Sequence, residues 1–249
     1  PRFARRAATS EVATVGALDR AVRWWAATLL WIIGAATVAR LIAQHAAFFG
    51  TNEVWTRSSL SALLLHSGWG RAWWLALGAT VVGLWGTHRI SRARAHGWTA
   101  LTTAALALAA SVAMSGHAAA ATTVAMTVHT LHVLGAGGWI GSLAALMIVA
   151  VPAVLQFGGE ERHRHVADLV RAFSPTALGF AGLLVVTGAI AAWRNIGSVA
   201  GLWQEPYGQV LLAKLALLSV AAGTGAYNWK RVLPNLGSDT ATDRLRKSA

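Results

Sequence analysis

The side chains best suited to chemistry in this sequence are histidines and methionines. There are nine histidines, three methionines and no cysteine. His129 and His132 are three residues apart, so a helix through this region puts both rings on one face. Met126, three residues before His129, extends that face. Met114 and His117 repeat the spacing at the end of the preceding apolar stretch. A short link near Gly116–Ala121 makes the two helices antiparallel neighbours, with their Met/His faces meeting in one layer near the outer membrane surface. Imidazole with thioether, without thiolate or carboxylate, is a ligand set that suits copper. Magnesium or calcium would ask for oxygen ligands. The expected metal ligands are therefore His117, His129, His132, Met114 and Met126.

Other residue types narrow the possibilities. Without cysteine there is no disulfide framework, zinc–thiolate site, iron–sulfur cluster or thiol nucleophile. The nine acidic residues all fall outside the long apolar stretches, which argues against a carrier driven through a mid-membrane carboxylate. No carboxylate pair, no Ser/His/Asp set and no GxxxxGK[ST] loop is present, so no catalytic activity is expected. His88, His96, His163 and His165 lie in basic loops and are expected to be solvated. His45 and His66 fall at helix ends, where an amphipathic ring settles at the interface with a wet nitrogen. Lys214, inside an apolar stretch, is expected to snorkel. Arg40 suits a cation site best if it lies on another face. A second use for these histidines is b-type haem, which takes two imidazoles from facing helices. His117 or His45 opposite His129 or His132 would make such a pair. A third reading is a metal-free structural or accessory subunit of a larger membrane complex.

The composition identifies what must position these groups. The chain has 249 residues, of which 55% are hydrophobic and only 12% charged. An average soluble domain is about 25% charged. With a mean hydropathy of +0.51, this is a chain whose main solvent is lipid. A bilayer core needs about 20 apolar residues per helix. Six stretches qualify: Trp24–Ala47, Ala72–Ile90, Trp98–Ser115, Ala121–Val151, Thr176–Trp193 and Tyr207–Trp229. The expected fold is all-α, a polytopic membrane helix bundle of about six transmembrane helices forming a single domain. A basic arm (1–23) precedes the bundle (24–232) and a tail (233–249) follows it. The first stretch is too long for a signal-peptide core and reads as a retained helix, in a sequence that begins with Pro1 rather than Met. Residues Thr9–Arg23 alternate loosely and are expected along the inner membrane surface. Gly135, Gly137, Gly138 and Gly141 in the long fourth stretch are expected to let a neighbouring helix approach.

The net charge of +12 follows the same frame. Sixteen basic residues fall in the N-terminal arm, the second and fourth loops and the tail. The opposite loops hold three: Arg57, Arg71 and Arg194. The positive-inside rule puts both termini in the cytoplasm. The excess charge is then a topology signal with an affinity for anionic lipid, and needs no nucleic acid. Trp24, Trp25, Trp98 and Trp229 fall at one set of helix ends, and Trp69, Trp73, Trp74, Trp193 and Trp203 at the other. Indole rings favour both interfaces.

Several segments together resemble the CopD family of bacterial inner-membrane copper-resistance proteins. They are Ser67-Gly-Trp-Gly-Arg-Ala-Trp73, Ser115-Gly-His-Ala118, and His129-Thr-Leu-His132-Val-Leu-Gly-Ala-Gly-Gly-Trp-Ile-Gly141. Phe173-Ser-Pro175, Val186-Thr-Gly188, and Pro206-Tyr-Gly208 with Lys214, Asn228 and Pro234 complete the set. The resemblance covers roughly Leu60–Pro234. It implies a multi-pass protein of the bacterial inner membrane that handles copper between periplasm and cytoplasm, often beside a periplasmic copper-binding partner of the CopC type. The family's histidines carry over to His117, His129 and His132. Many relatives have about eight helices, against six stretches here.

Overall fold

The structure, a computed structural model, describes the backbone of residues 2–90, 92, 94–116, 122–154, 159–196, 198–227 and 230. It also describes their side chains, except at 2–15, 17–18, 94, 153–154, 159–168 and 170–172. The described residues form helices and connections, with no strand among them. The chain is an all-α, multi-pass membrane protein. In order it forms α1 (Arg2–Phe49), α2 (Arg57–Leu65), α3 (Gly68–Arg89), α4 (Arg94–Met114) and α5 (Thr123–Ala145). A π-helical turn (Leu146–Ala150) leads to α6 (Val151–Val154), α7 (Gly159–Asn195), α8 (Gly201–Gln204) and α9 (Pro206–Tyr227). The chain divides into two compact units, Pro1–Leu134 and Gly135–Ala249.

In the first unit, α1 stops at Gly50, whose φ of 106° suits only glycine comfortably, and whose N–H donates to the Ala46 carbonyl at 2.9 Å. Helix α2 starts with a reciprocal cap. The Ser59 N–H donates to Thr56 Oγ1 and the Thr56 N–H donates to Ser59 Oγ, both at 3.1 Å. Ser67 caps α3, its Oγ accepting from the Gly70 N–H at 2.8 Å. Helix α3 then packs against both α1 and α4. Small residues make that possible. A Cβ at Gly83 would lie 2.9 Å from both Leu30 methyls, and one at Gly97 would lie 2.6 Å from the Ile90 nitrogen. The Trp73 Nε1–H donates to the Thr37 carbonyl at 2.8 Å, tying α3 to α1. Buried hydroxyls such as Thr80, which donates to the Ala76 carbonyl at 2.8 Å, turn back onto their own helix and so keep the proton bonded in an apolar setting.

In the second unit, Gly135 and Gly138 lie against α7. A Cβ at Gly135 would sit 3.0 Å from the Leu184 nitrogen, and one at Gly138 would collide with the Phe180 ring. This is the close packing expected of the fourth stretch, although Gly137 and Gly141 face open space. Helix α7 continues through Pro175. Thr187 is buried and donates to the Leu183 carbonyl at 2.6 Å. Helix α9 packs its first turns on α8 and leaves Leu217, Val220 and Tyr227 exposed, as suits a lipid-facing helix.

Among the described residues, five helices are long and apolar enough to cross a membrane: Asp19–Phe49, Ala95–Met114, Thr123–Ala150, Phe173–Asn195 and Pro206–Tyr227. They correspond to five of the six expected stretches. The remaining stretch, Ala72–Ile90, does form a long helix, α3. It falls short in apolarity because its positions are filled by glycine, threonine and tryptophan. Eight of its 22 residues are buried, so protein rather than lipid surrounds much of it. The N-terminal stretch Thr9–Arg23 is helical and continuous with the rest of α1. The fourth-to-fifth loop, expected to carry Arg162, Arg164 and Arg171, is helical from Gly159 as part of α7. The tail lies outside the described residues.

Candidate metal site

The proposed ligands sit at the end of α4 and the start of α5. Met114 is the last residue of α4, half-buried. His117 lies outside the described residues. Met126, His129 and His132 are all on α5 and all half-buried. The helix confirms the i, i+3 spacing, which puts successive Cβ atoms about 5–6 Å apart along one face. The Met126 N–H donates to the Thr122 carbonyl at 3.0 Å, and Thr130 Oγ1 donates to the Met126 carbonyl at 2.9 Å. This segment of α5 is therefore regular from its first turn. Among the described residues no three of His, Cys, Asp or Glu cluster as metal ligands do.

The structure corrects the reading of His45. It is 1% exposed, not an interfacial ring with a wet nitrogen. Its ring stacks on Trp55 at 4.2 Å with 12° between planes, and Phe49 packs on it at 5.0 Å. Its Nε2 is 3.1 Å from Ser59 Oγ. The Ser59 hydroxyl donates its own proton to the Thr56 carbonyl at 3.0 Å. The Ser59 hydroxyl thus lies within hydrogen-bond distance of both the His45 ring and the Thr56 carbonyl. Nothing but its spacing from the Thr56/Ser59 cap marks this role in the sequence. Beside it, Phe49, Glu53, Val54, Thr56, Ser58, Ser59 and Ala62 line an open groove of about 350 Å³. His66, by contrast, is exposed at the end of α2, as expected.

Arg40 makes a long-range bond that the sequence does not show. Its guanidinium donates to Ser115 Oγ at 3.1 Å, joining α1 to the residue after Met114. Ser115 in turn donates to the Val112 carbonyl at 3.1 Å. Lys214 is exposed on α9, which accords with snorkelling.

Residues 167–249 match the family model for copper resistance protein D. The likeness is to CopD. The resemblance read from the sequence motifs is thus borne out over about the last third of the chain. A relative from Bacillus subtilis (strain 168), "Copper transport protein CutJ", is 31% identical over 135 residues, which is 53% of this chain and 24% of that protein. The chain thus spans about a quarter of that relative's length. No solved structure matches the chain. The CopD match begins on α7, after the histidine-bearing segment of α5, so the proposed ligands stand on their own spacing and chemistry.

Proposed function

We propose that this protein handles copper in the bacterial inner membrane, in the manner of CopD. The observation that carries this reading is the 31% identity to a protein named for copper transport, in a chain that also matches the CopD model. The cargo would bind at a site built from His117, His129 and His132, with Met114 and Met126 supplying soft sulfur. Imidazole binds copper in either oxidation state, and thioether favours Cu(I). A few neutral ligands hold an ion without trapping it, so ligand exchange passes it on, driven by its gradient or by a partner. No catalytic step is involved. With both termini cytoplasmic, the site faces the periplasm, where a copper-binding protein of the CopC type would deliver the ion.

The test has two parts. Protein purified without chelators and loaded with copper should retain close to one equivalent after desalting. Reporter fusions at Ala249 and at Asn52 should report opposite sides of the membrane, with Ala249 inside. No retained copper refutes the function, and a periplasmic Ala249 refutes the placement of the site. A Soret band in the visible spectrum would instead favour haem.

A further inference from the structure

Helices α1 and α3 run antiparallel with their contacts in register: Trp73 meets Thr37, Thr80 meets Gly34 and Gly83 meets Leu30. An α-helix rises about 1.5 Å per residue, and seven residues make close to two turns. Two turns beyond the Leu30–Gly83 contact, Arg23 therefore lies on the α3-facing side of α1, level with Ile90. Ile90 in turn packs against Gly97 near the start of α4. The end of α3 and the turn into α4 hold Arg89 and Arg92, with the Arg92 N–H donating to the Arg89 carbonyl at 2.9 Å. Three arginines thus converge on one corner of the first unit. Among the described side chains of this unit the acidic ones are Asp19 and Glu53. Glu53 lies at the opposite end, beyond Gly50. Asp19, one turn before Arg23, offsets at most one of the three charges, so the corner stays positive.

We infer that this corner binds the headgroup of an anionic phospholipid, in the leaflet on the side of the α3–α4 turn. Like charges brought together repel, and a phosphate among them turns the repulsion into attraction. A guanidinium presents a planar fork of donors that matches phosphate oxygens. Arg89 is already oriented for this: its guanidinium carbon lies 5.1 Å from the centroid of the Trp85 ring, within cation–π range. Trp24, Trp85 and Trp98 are exposed at this end, and indole rings settle at headgroup level. The occupant is a lipid rather than free phosphate because the surface below the arginines is apolar. Val81 and Val82, one turn deeper on α3 than Trp85, are exposed beside the indole and suit acyl chains. The chain's overall basic excess draws any anionic membrane surface, whereas this corner holds its arginines at fixed positions on packed helices. Such a site needs only the membrane-spanning fold and owes nothing to copper.

The experiment titrates the purified full chain in uncharged detergent micelles with phosphatidylglycerol or phosphatidylcholine, and counts bound lipids by native mass spectrometry. The parent should bind one phosphatidylglycerol more than about tenfold tighter than phosphatidylcholine. Arg23→Gln, Arg89→Gln and Arg92→Gln should each weaken phosphatidylglycerol about fivefold, the worth of one basic residue at a membrane surface, and leave phosphatidylcholine unchanged. Trp85→Leu keeps every charge but loses the stack, and should weaken it about twofold. The double variant Arg89→Lys/Arg92→Lys keeps the charge without the fork, and should bind less tightly than the parent. Arg57→Gln, at the opposite end of the unit, is the control and should bind like the parent. A parent without preference between the two lipids overturns the inference. So does a loss in Arg57→Gln equal to that in the other glutamine variants, or full binding by the double lysine variant, since either makes the attraction one of diffuse charge. Displacement of the lipid by excess inorganic phosphate would overturn the assignment to a lipid. Where one glutamine variant fails to fold, the other two carry the comparison.

Discussion

Two histidine-bearing regions of the first unit hold the same side chain in different surroundings. At the corner of α1 and α2, His45 is sealed: one ring nitrogen bonds Ser59, Trp55 covers a face and Phe49 packs against the ring. On α5, His129 and His132 are half-buried on a regular helix, with Met126 a turn away. A ring used as a strut is held from every side. A ring used for ligand exchange must keep a nitrogen that an ion can reach. Histidine in a membrane helix is therefore not one signal, and its surroundings decide between architecture and chemistry.

The sharpest way to break this contrast is to remove the strut. His45→Ala takes away a buried ring, its stacking and its bond, and should cost about 3 kcal/mol. A thermal unfolding midpoint in detergent should fall by several degrees, while copper affinity of the folded fraction stays within about threefold. A large loss of copper binding would merge the two regions. Gly97→Ala comes next, at about 2 kcal/mol, because the added methyl meets the Ile90 backbone as well as its side chain. The same thermal scan reads it, and an unchanged midpoint would mean that α3 and α4 are not packed this closely. Ser59→Ala should cost about 1 kcal/mol, since it removes one cap and the hydrogen-bond partner of His45 but little bulk. A cost as large as that of His45→Ala would make the hydrogen bond, not the stacked ring, the strut. Lys214→Met should be smallest, within about 0.5 kcal/mol and without effect on copper, because the ammonium is exposed on a lipid-facing helix. Loss of a copurifying anion or subunit in that variant would show that Lys214 holds a ligand.

How much of this was legible in the sequence depended on which forces act locally. Helices α5 and α9 stood out because their side chains face lipid, and lipid demands apolar residues without interruption. Helix α3 gave a weaker apolar signal for the opposite reason: Gly83, Gly86 and Thr80 meet neighbouring helices, and close approach selects small residues over apolar ones. The Met/His spacing on α5 was readable because a helix fixes it within three residues. The His45–Ser59 bond spans 14 positions across a turn, and the Arg40–Ser115 bond spans 75. Neither leaves a periodic trace. Helix α2 had a local signal in the Thr56/Ser59 cap, but that cap uses serine where glutamate or glutamine is usual.

The proposed copper function rests on ligands carried by one face of α5. Its most direct test is copper binding to purified His129→Ala/His132→Ala beside the parent chain and His45→Ala, measured under reducing conditions. Losing two ligands should weaken binding by more than the ~10–100-fold that an outer-shell change brings, with the melting midpoint close to that of the parent. His45→Ala should show the reverse, a lowered midpoint with copper binding retained. A double variant that binds copper as tightly as the parent would contradict the account.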